Sequence, residues 1–164
     1  MPLDEYIFGK FANYFKNNKK YSSEIVERTV SLIDIKSKLT IISRATTGRA
    51  IQIFPAEKEG GYKNDSFFLP ISFSEFSTKQ LNLSYYIYRI LYLSIQKKLN
   101  LNWDAIDEQS IEMSQQKAIE TSSQVLNILY EEYPITKELH ETFTEQIINN
   151  TTNKNKSNFK KRTK

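Results

Sequence analysis

His140 is the single histidine of this chain, and there is no cysteine. A multi-histidine metal centre, a thiolate metal site, a cysteine nucleophile and a disulfide scaffold are therefore all excluded. The serines and carboxylates are plentiful, yet no Gly-x-Ser-x-Gly elbow and no His-Glu-x-x-His helix occurs. Only Gly60 and Gly61 stand close together, and no Gly-Lys-Ser/Thr follows them, so the phosphate-cradling patterns are absent as well. His140 lies between Glu138 and Glu141 and reads as a solvated residue on a surface helix. The stretch Glu57-Lys58-Glu59-Gly60-Gly61-Tyr62 with Asp65 holds three carboxylates that hard cations favour, but it lacks the spacing of a calcium loop and reads as a solvated turn. The expectation is a protein with no catalytic residue, no metal ligands and no cofactor.

Three arginines stand out instead. Arg44 and Arg49 flank Gly48, and Arg89 sits on a helix face beside Tyr85 and Tyr88. An arginine inside so aromatic a helix either stacks and pairs with a carboxylate or faces a contact surface. These three form the candidate interaction surface. Ten tyrosines and ten phenylalanines are many for 164 residues. Most recur at helical spacing with Ile and Leu, which makes them core; stacking of nucleic-acid bases on exposed rings is the alternative.

Charge is unevenly spread. Lys154, Lys156, Lys160, Lys161, Arg162 and Lys164 crowd into residues 149–164 with no acidic residue among them. The first 148 residues hold 17 basic against 19 acidic side chains, a net of −2, although the whole chain is +4. A tail of this kind attracts polyanions, including weak non-specific nucleic acid, while the faintly acidic remainder does not. The beginning of the chain has no basic region followed by a long apolar run, and the apolar-looking stretch 85–95 is broken by Arg89 and Ser94. It is too short to span a bilayer. No membrane span is expected, and a cytoplasmic location is. Five Asn-x-Ser/Thr triplets, at Asn64, Asn82, Asn149, Asn150 and Asn155, are what an Asn-rich composition produces by chance.

The elements that position these residues follow from periodicity. Leu3, Ile7, Phe8, Phe11, Tyr14 and Phe15 predict an amphipathic helix over 3–17. Ser22 or Ser23 is expected to cap a second, continuous helix with the stripe Ile25, Val26, Val30, Ile33, Ile41 and Ile42, wobbling near Lys36-Ser37 and ended by Gly48. The period then changes. Residues 49–54 and 66–69 are short, apolar and bounded by Pro55, Pro70 and the turn 59–65, which predicts one small β-hairpin. Asn82 is expected to cap a central helix over 83–98, with Tyr85, Tyr88, Leu91, Tyr92, Ile95 and Leu99 on its face. A helix over 105–132 (Ile111, Ala118, Val125, Ile128, Leu129), with a break near Ser122-Ser123, should end at Pro134. Thr136 should cap a last helix over 137–149 with Leu139, Phe143 and Ile147. The fold class is mainly α: one helix-rich domain over 2–149 with a small hairpin, then a disordered basic tail over 150–164, whose Thr, Asn, Ser and Lys cannot bury enough surface to fold.

The order of short motifs is similar to that of a known family. The chain runs Leu3-Asp4-Glu5-Tyr6-Ile7-Phe8-Gly9-Lys10, then Ser43-Arg44-Ala45-Thr46-Thr47-Gly48-Arg49 and Ile51-Gln52-Ile53. Phe68-Leu69-Pro70, Tyr85-Tyr86-Ile87-Tyr88-Arg89-Ile90-Leu91 and Leu129-Tyr130-Glu131-Glu132-Tyr133-Pro134 follow. Over about residues 3–148 this resembles the N-terminal region of NorD-type proteins, the nitric oxide reductase activation proteins. There, a helical region with a small β element precedes a von Willebrand factor A domain. The resemblance implies a non-enzymatic accessory role beside a MoxR-class AAA+ ATPase in activating a metalloenzyme or another complex. The family's metal site lies on an Asp-x-Ser-x-Ser loop of the von Willebrand domain. This sequence has no such loop, so the expectation is a truncated or split product, a fragment, or a short relative carrying the front region alone.

Overall fold

The computed structural model describes residues 23–57, 60–101 and 111–162. The helix expected over 3–17 and the first residues of that expected over 105–132 lie outside them. The architecture is mainly helical: α1 (Ser23–Arg28), α2 (Leu32–Thr47), α3 (Lys79–Lys98), α4 (Ile111–Glu132) and α5 (Ile135–Arg162). Short strands fill the interval before α3: β1 (Val30–Ser31) precedes α2, and β2 (Gln52–Ala56), β3 (Gly61–Lys63), β4 (Ser66–Pro70) and β5 (Ser72–Phe73) follow it.

α3 holds the fold together because it is apolar on two sides. Tyr86, Ile90 and Leu93, spaced as one helical stripe, pack with Leu39 of α2 and with Ile53, Phe67 and Leu69 of the sheet. Tyr88, Leu91 and Ile95 form a second stripe against Phe76, Val125, Leu129 and Phe143. A helix apolar on both sides belongs in the interior, and Tyr86, Ile90 and Leu93 are fully shielded from water. Thr78 caps it by accepting from Leu81 N at 3.2 Å. Asn100, at φ +57°, closes it: Leu101 N donates to Gln96 O and Asn100 N to Lys97 O, both at 3.0 Å.

The expected cap Asn82 stands elsewhere, inside α3 and fully buried. Its amide accepts from Phe76 N (2.9 Å) and donates to Phe76 O (3.1 Å) and Arg28 O (2.9 Å). A cap residue satisfies its own helix; this one instead ties α3 to the loop before it and to the end of α1.

The continuous helix from Ser23 to Gly48 is corrected. It breaks at Thr29, and Val30 and Ser31 pair antiparallel with Phe73 and Ser72. Leu32 N donates to Ile71 O at 2.9 Å. The β-branched Thr29-Val30 pair suits extended backbone, and no glycine or proline marks the break. The break also rotates the stripe. Leu32, Leu39 and Ser43 face the core, whereas Val26, Ile33 and Ile41 face solvent. Gly48 ends α2 as expected, at φ +64° with its N–H on Arg44 O at 2.9 Å.

The hairpin is present, with different strands. Residues 52–56 and 66–70 pair in parallel, Ile53 opposite Phe67 and Pro55 opposite Leu69. The antiparallel pair is β3 with β4, Tyr62 opposite Phe67, giving the order β2-β4-β3. Residues 61–63, expected within a broad turn, are a strand. The tight turn is Asn64-Asp65, with Asn64 at φ +52°. Because β4 lies between the other two strands, Pro55 sits on an edge strand, where its missing N–H leaves no bond unmade.

No break occurs at Ser122-Ser123, since α4 runs unbroken to Glu132 ahead of Pro134. Thr136 lies buried in the first turn of α5 rather than at its cap: its hydroxyl donates to Tyr133 O at 2.6 Å. Along α5, Phe143 is buried and Leu139 half-buried, but Ile147 is exposed. Gln146 Oε1 accepts from Ser77 N at 3.1 Å, and Asn150 Nδ2 donates to Glu75 O at 3.0 Å. Residues 151–153 are exposed, and the helix continues to Arg162. Thr, Asn and Ser are weak helix formers in water.

Candidate interaction surface

α2, α3 and α4 bring their C-terminal ends to one cleft of about 490 Å³. Thr46, Arg49, Ser94, Lys97, Lys98 and Glu132 are among its lining residues. The left-handed turn at Gly48 sends the chain back along α2, so that Arg44 Nε donates to Ile51 O at 3.2 Å. Arg49 follows at once and reaches Asp65 Oδ1 at 3.6 Å. Lys97, in the last turn of α3, donates to the same Oδ1 at 2.8 Å and to Asn64 O at 2.6 Å. Lys98 pairs with Glu132 at the end of α4. Basic residues at helix C-termini are what the helix dipole favours.

These contacts set the electrostatics. The Lys97 hydrogen bond, with the Lys97 and Arg49 charges, holds the Asp65 carboxyl below its usual range. The hydrogen bond to Glu132 raises the Lys98 ammonium. The hydroxyls are engaged in the scaffold. Ser94 Oγ donates to Ile90 O at 2.7 Å and lies 2.9 Å from Thr46 Oγ1, which bridges α3 to α2. Thr47 Oγ1 donates to Ser43 O at 2.6 Å. Both these contacts of Ser94 therefore serve the packing of α3 against α2. The cleft is a polar, ion-paired surface lined by the exposed Arg49, while Arg44, exposed on α2, is not among its lining residues.

Arg89 does not line the cleft. It is half-buried on α3, its guanidinium lies 5.6 Å from the ring centre of Tyr92, and its charge also acts on the Tyr88 phenol. The solvated His140 is also corrected. Its ring is half-buried, Nδ1 is hydrogen-bonded to the Tyr130 hydroxyl, and its centre is 6.0 Å from that of Tyr88. The sequence placed His140 among its acidic neighbours on α5, but the tertiary fold puts the ring against α3 and α4. Burial pushes the phenols of Tyr86, Tyr88, Tyr92 and Tyr130 above their usual range.

In the stretch read as a solvated turn, the Asp65 carboxylate is taken by Lys97 and Arg49. Among the described residues, no three His, Cys, Asp or Glu side chains gather as a metal site would require. No helix among them is long and apolar enough to cross a membrane. Of the six basic tail residues, Lys154, Lys156, Lys160, Lys161 and Arg162 lie on the α5 backbone, and Lys164 lies outside the described residues. Sequence reasoning missed Lys97, Lys98 and Glu132. Two lysines ending a helix are too ordinary a pattern to have singled them out.

No protein-family model matches this chain, and no match is found among curated proteins or among solved structures. The likeness to NorD-type proteins therefore rests on the short motifs alone.

Proposed function

We propose that this chain is a non-enzymatic accessory module of the cytoplasm that works by docking on another protein. In this reading it is similar to the front region of a NorD-type activator acting with a MoxR-class AAA+ ATPase on a metalloenzyme or another complex. The observation that supports it is the cleft. Its Thr46, Thr47 and Ser94 hydroxyls and its Glu132 carboxylate hold structural bonds, while the exposed Arg49 lines a surface built from three helix ends and the exposed Arg44 is held to Ile51 O. Exposed arginines held by backbone and carboxylate contacts are geometrically fixed, which suits recognition of acidic groups on a partner. Calorimetric titration of the protein with a MoxR-class ATPase tests it. Binding weakened about tenfold by Arg44→Glu or Arg49→Glu supports the reading, since one charge contact at an interface is worth about 1.4 kcal/mol or more. Absence of binding, or binding indifferent to both changes, rejects it.

The basic run from Lys154 to Lys164 supports a second reading, a nucleic-acid-associated protein held through its C-terminal segment. The two separate by salt. Binding dominated by phosphate contacts falls steeply as salt rises, whereas a docked protein interface responds weakly.

A further inference from the structure

Tyr62 and Tyr86 donate their hydroxyls to backbone carbonyls, Gln96 O at 3.3 Å and Pro70 O at 2.8 Å. Tyr130 is bonded instead to a base, Nδ1 of His140, the only imidazole of the chain. A carbonyl oxygen accepts a hydrogen bond but not the proton itself, whereas a neutral imidazole nitrogen accepts either. Burial and the Glu141 charge raise the Tyr130 phenol, so at neutral pH it keeps its proton and donates it toward the ring nitrogen. The pair also adjoins an aromatic array. The ring centre of His140 lies 6.0 Å from that of Tyr88, which is 6.3 Å from Tyr92 and 5.6 Å from Phe143. Tyr130 and His140 are each half-buried, so they sit at the solvent side of that array, while Tyr88 is buried.

We infer that Tyr130 and His140 form an electron-donor site that reduces a diffusing one-electron oxidant, with His140 as the base. The electron leaves the Tyr130 phenol for the oxidant, and the phenolic O–H bond breaks. The proton passes along the existing hydrogen bond to Nδ1. The products are a neutral phenoxyl radical, an imidazolium and the reduced oxidant, so atoms and charge balance. Moving proton and electron together avoids the charged radical cation that a phenol without a base has to form. Tyr62 and Tyr86, bonded to carbonyls, have no such exit for the proton. The surroundings set a condition on the site. Arg89 and Tyr92 act on Tyr88 from α3, Glu141 acts on Tyr130, and Glu131, Lys137 and Glu138 are exposed beside the pair in sequence. Whatever their balance, protonation of His140 fills Nδ1 and removes the acceptor. The site therefore works with imidazole and fails with imidazolium. The inference does not depend on the docking function.

The test oxidises the full chain with photogenerated tris(bipyridine)ruthenium(III) and measures the loss of each tyrosine by peptide mass spectrometry. Tyr130 should react about tenfold faster than Tyr62, which is also half-buried but bonded to a carbonyl. His140→Asn keeps a hydrogen-bond acceptor on the helix but no base, and it should bring Tyr130 down to the rate of Tyr62. A contact that served packing alone would leave the rate where it was. A second measurement needs no variant. In the unaltered protein the Tyr130 rate should fall as pH is lowered through the titration of His140, followed by the ring-proton resonances of this single histidine, while the Tyr62 rate stays level. If His140→Asn does not fold, as circular dichroism would show, this pH profile decides alone. Equal rates for Tyr130 and Tyr62, an unchanged Tyr130 rate in folded His140→Asn, or a Tyr130 rate indifferent to the His140 titration would each overturn the proposal.

Discussion

Asn82 ties three segments together through one side chain. Three backbone groups, Phe76 N, Phe76 O and Arg28 O, are satisfied by its one buried amide. Asn82→Leu keeps the volume but orphans all three, and each buried unmet group costs about 1–3 kcal/mol. The expected loss is therefore about 3 kcal/mol or more, read from urea unfolding; a loss well under 1 kcal/mol would show that the loop finds other partners. Two glycines make a graded comparison. Gly48→Ala meets open space but keeps φ +64°, so it should cost about 1–2 kcal/mol. At Gly60, also at positive φ, an added Cβ would stand 1.9 Å from Phe68 O, a backbone atom that cannot swing away. Gly60→Ala should destabilise the protein clearly more than Gly48→Ala in the same melts.

At the scale of the element, α3 carries its tyrosines into both cores, and this has a pH signature. Burial raises the Tyr86, Tyr88 and Tyr92 phenols in the folded protein, while in the unfolded chain they ionise near 10. A raised folded-state value means the stabilisation is complete below about pH 10 and is lost as pH climbs above it, because the unfolded chain then releases protons that the folded one retains. Ultraviolet titration should show a lagging group of tyrosines that ionises together with unfolding. A single smooth transition near pH 10 in the folded protein would contradict this. The β3–β4 turn behaves oppositely in acid. Asp65 is lowered by Lys97, so its contribution is present above its unfolded value of 3.8 and disappears as pH falls through the lower folded value. Asp65→Asn should remove that part of the acid dependence and change stability little at neutral pH, since the carboxylate is at the surface. An unchanged acid limb in melts of the variant would assign the effect elsewhere.

Over the whole molecule, the described tertiary hydrogen bonds of α5 reach Asn150, and residues 151–153 are exposed. Removing residues 151–164 takes away all six basic residues of the tail. The melting temperature should move by no more than a few degrees, about 1 kcal/mol for a domain of this size. Retention on a heparin column should fall sharply, and more so at low salt, because exposed charges are screened over about 8–10 Å at physiological ionic strength. A large drop in melting temperature would mean that the extension of α5 packs. Retention that survives truncation would locate the basic surface in the folded part, around Arg44 and Arg49.

The sequence by itself determined the helical class, the end of α2 at Gly48, the aromatic central helix and the end of α4 before Pro134. Each is written in local terms: a 3.6-residue period, a glycine free to adopt positive φ, a proline that ends the helix before it. What only the tertiary structure decided was where non-local partners outweigh local pattern. Val30 and Ser31 left a helical stripe because β5 offered them a ladder; Val30 stayed in the core, while Ile33 and Ile41 of that stripe turned to solvent. Residues 52–56 and 66–70 became parallel neighbours because β3 took the hairpin position, a choice that composition cannot express since either pairing buries Ile53 and Phe67. Asn82, Thr136 and His140 all sit where sequence reads a cap or a solvated side chain. Their partners, Arg28 O, Leu129 O and Tyr130, come from a preceding element in each case, and only packing brings them within hydrogen-bond reach. The cleft follows the same logic. Arg49 was legible from its place beside a helix-ending glycine, but Lys97 with Asp65 and Lys98 with Glu132 come near it only because three helices and a turn end at one place.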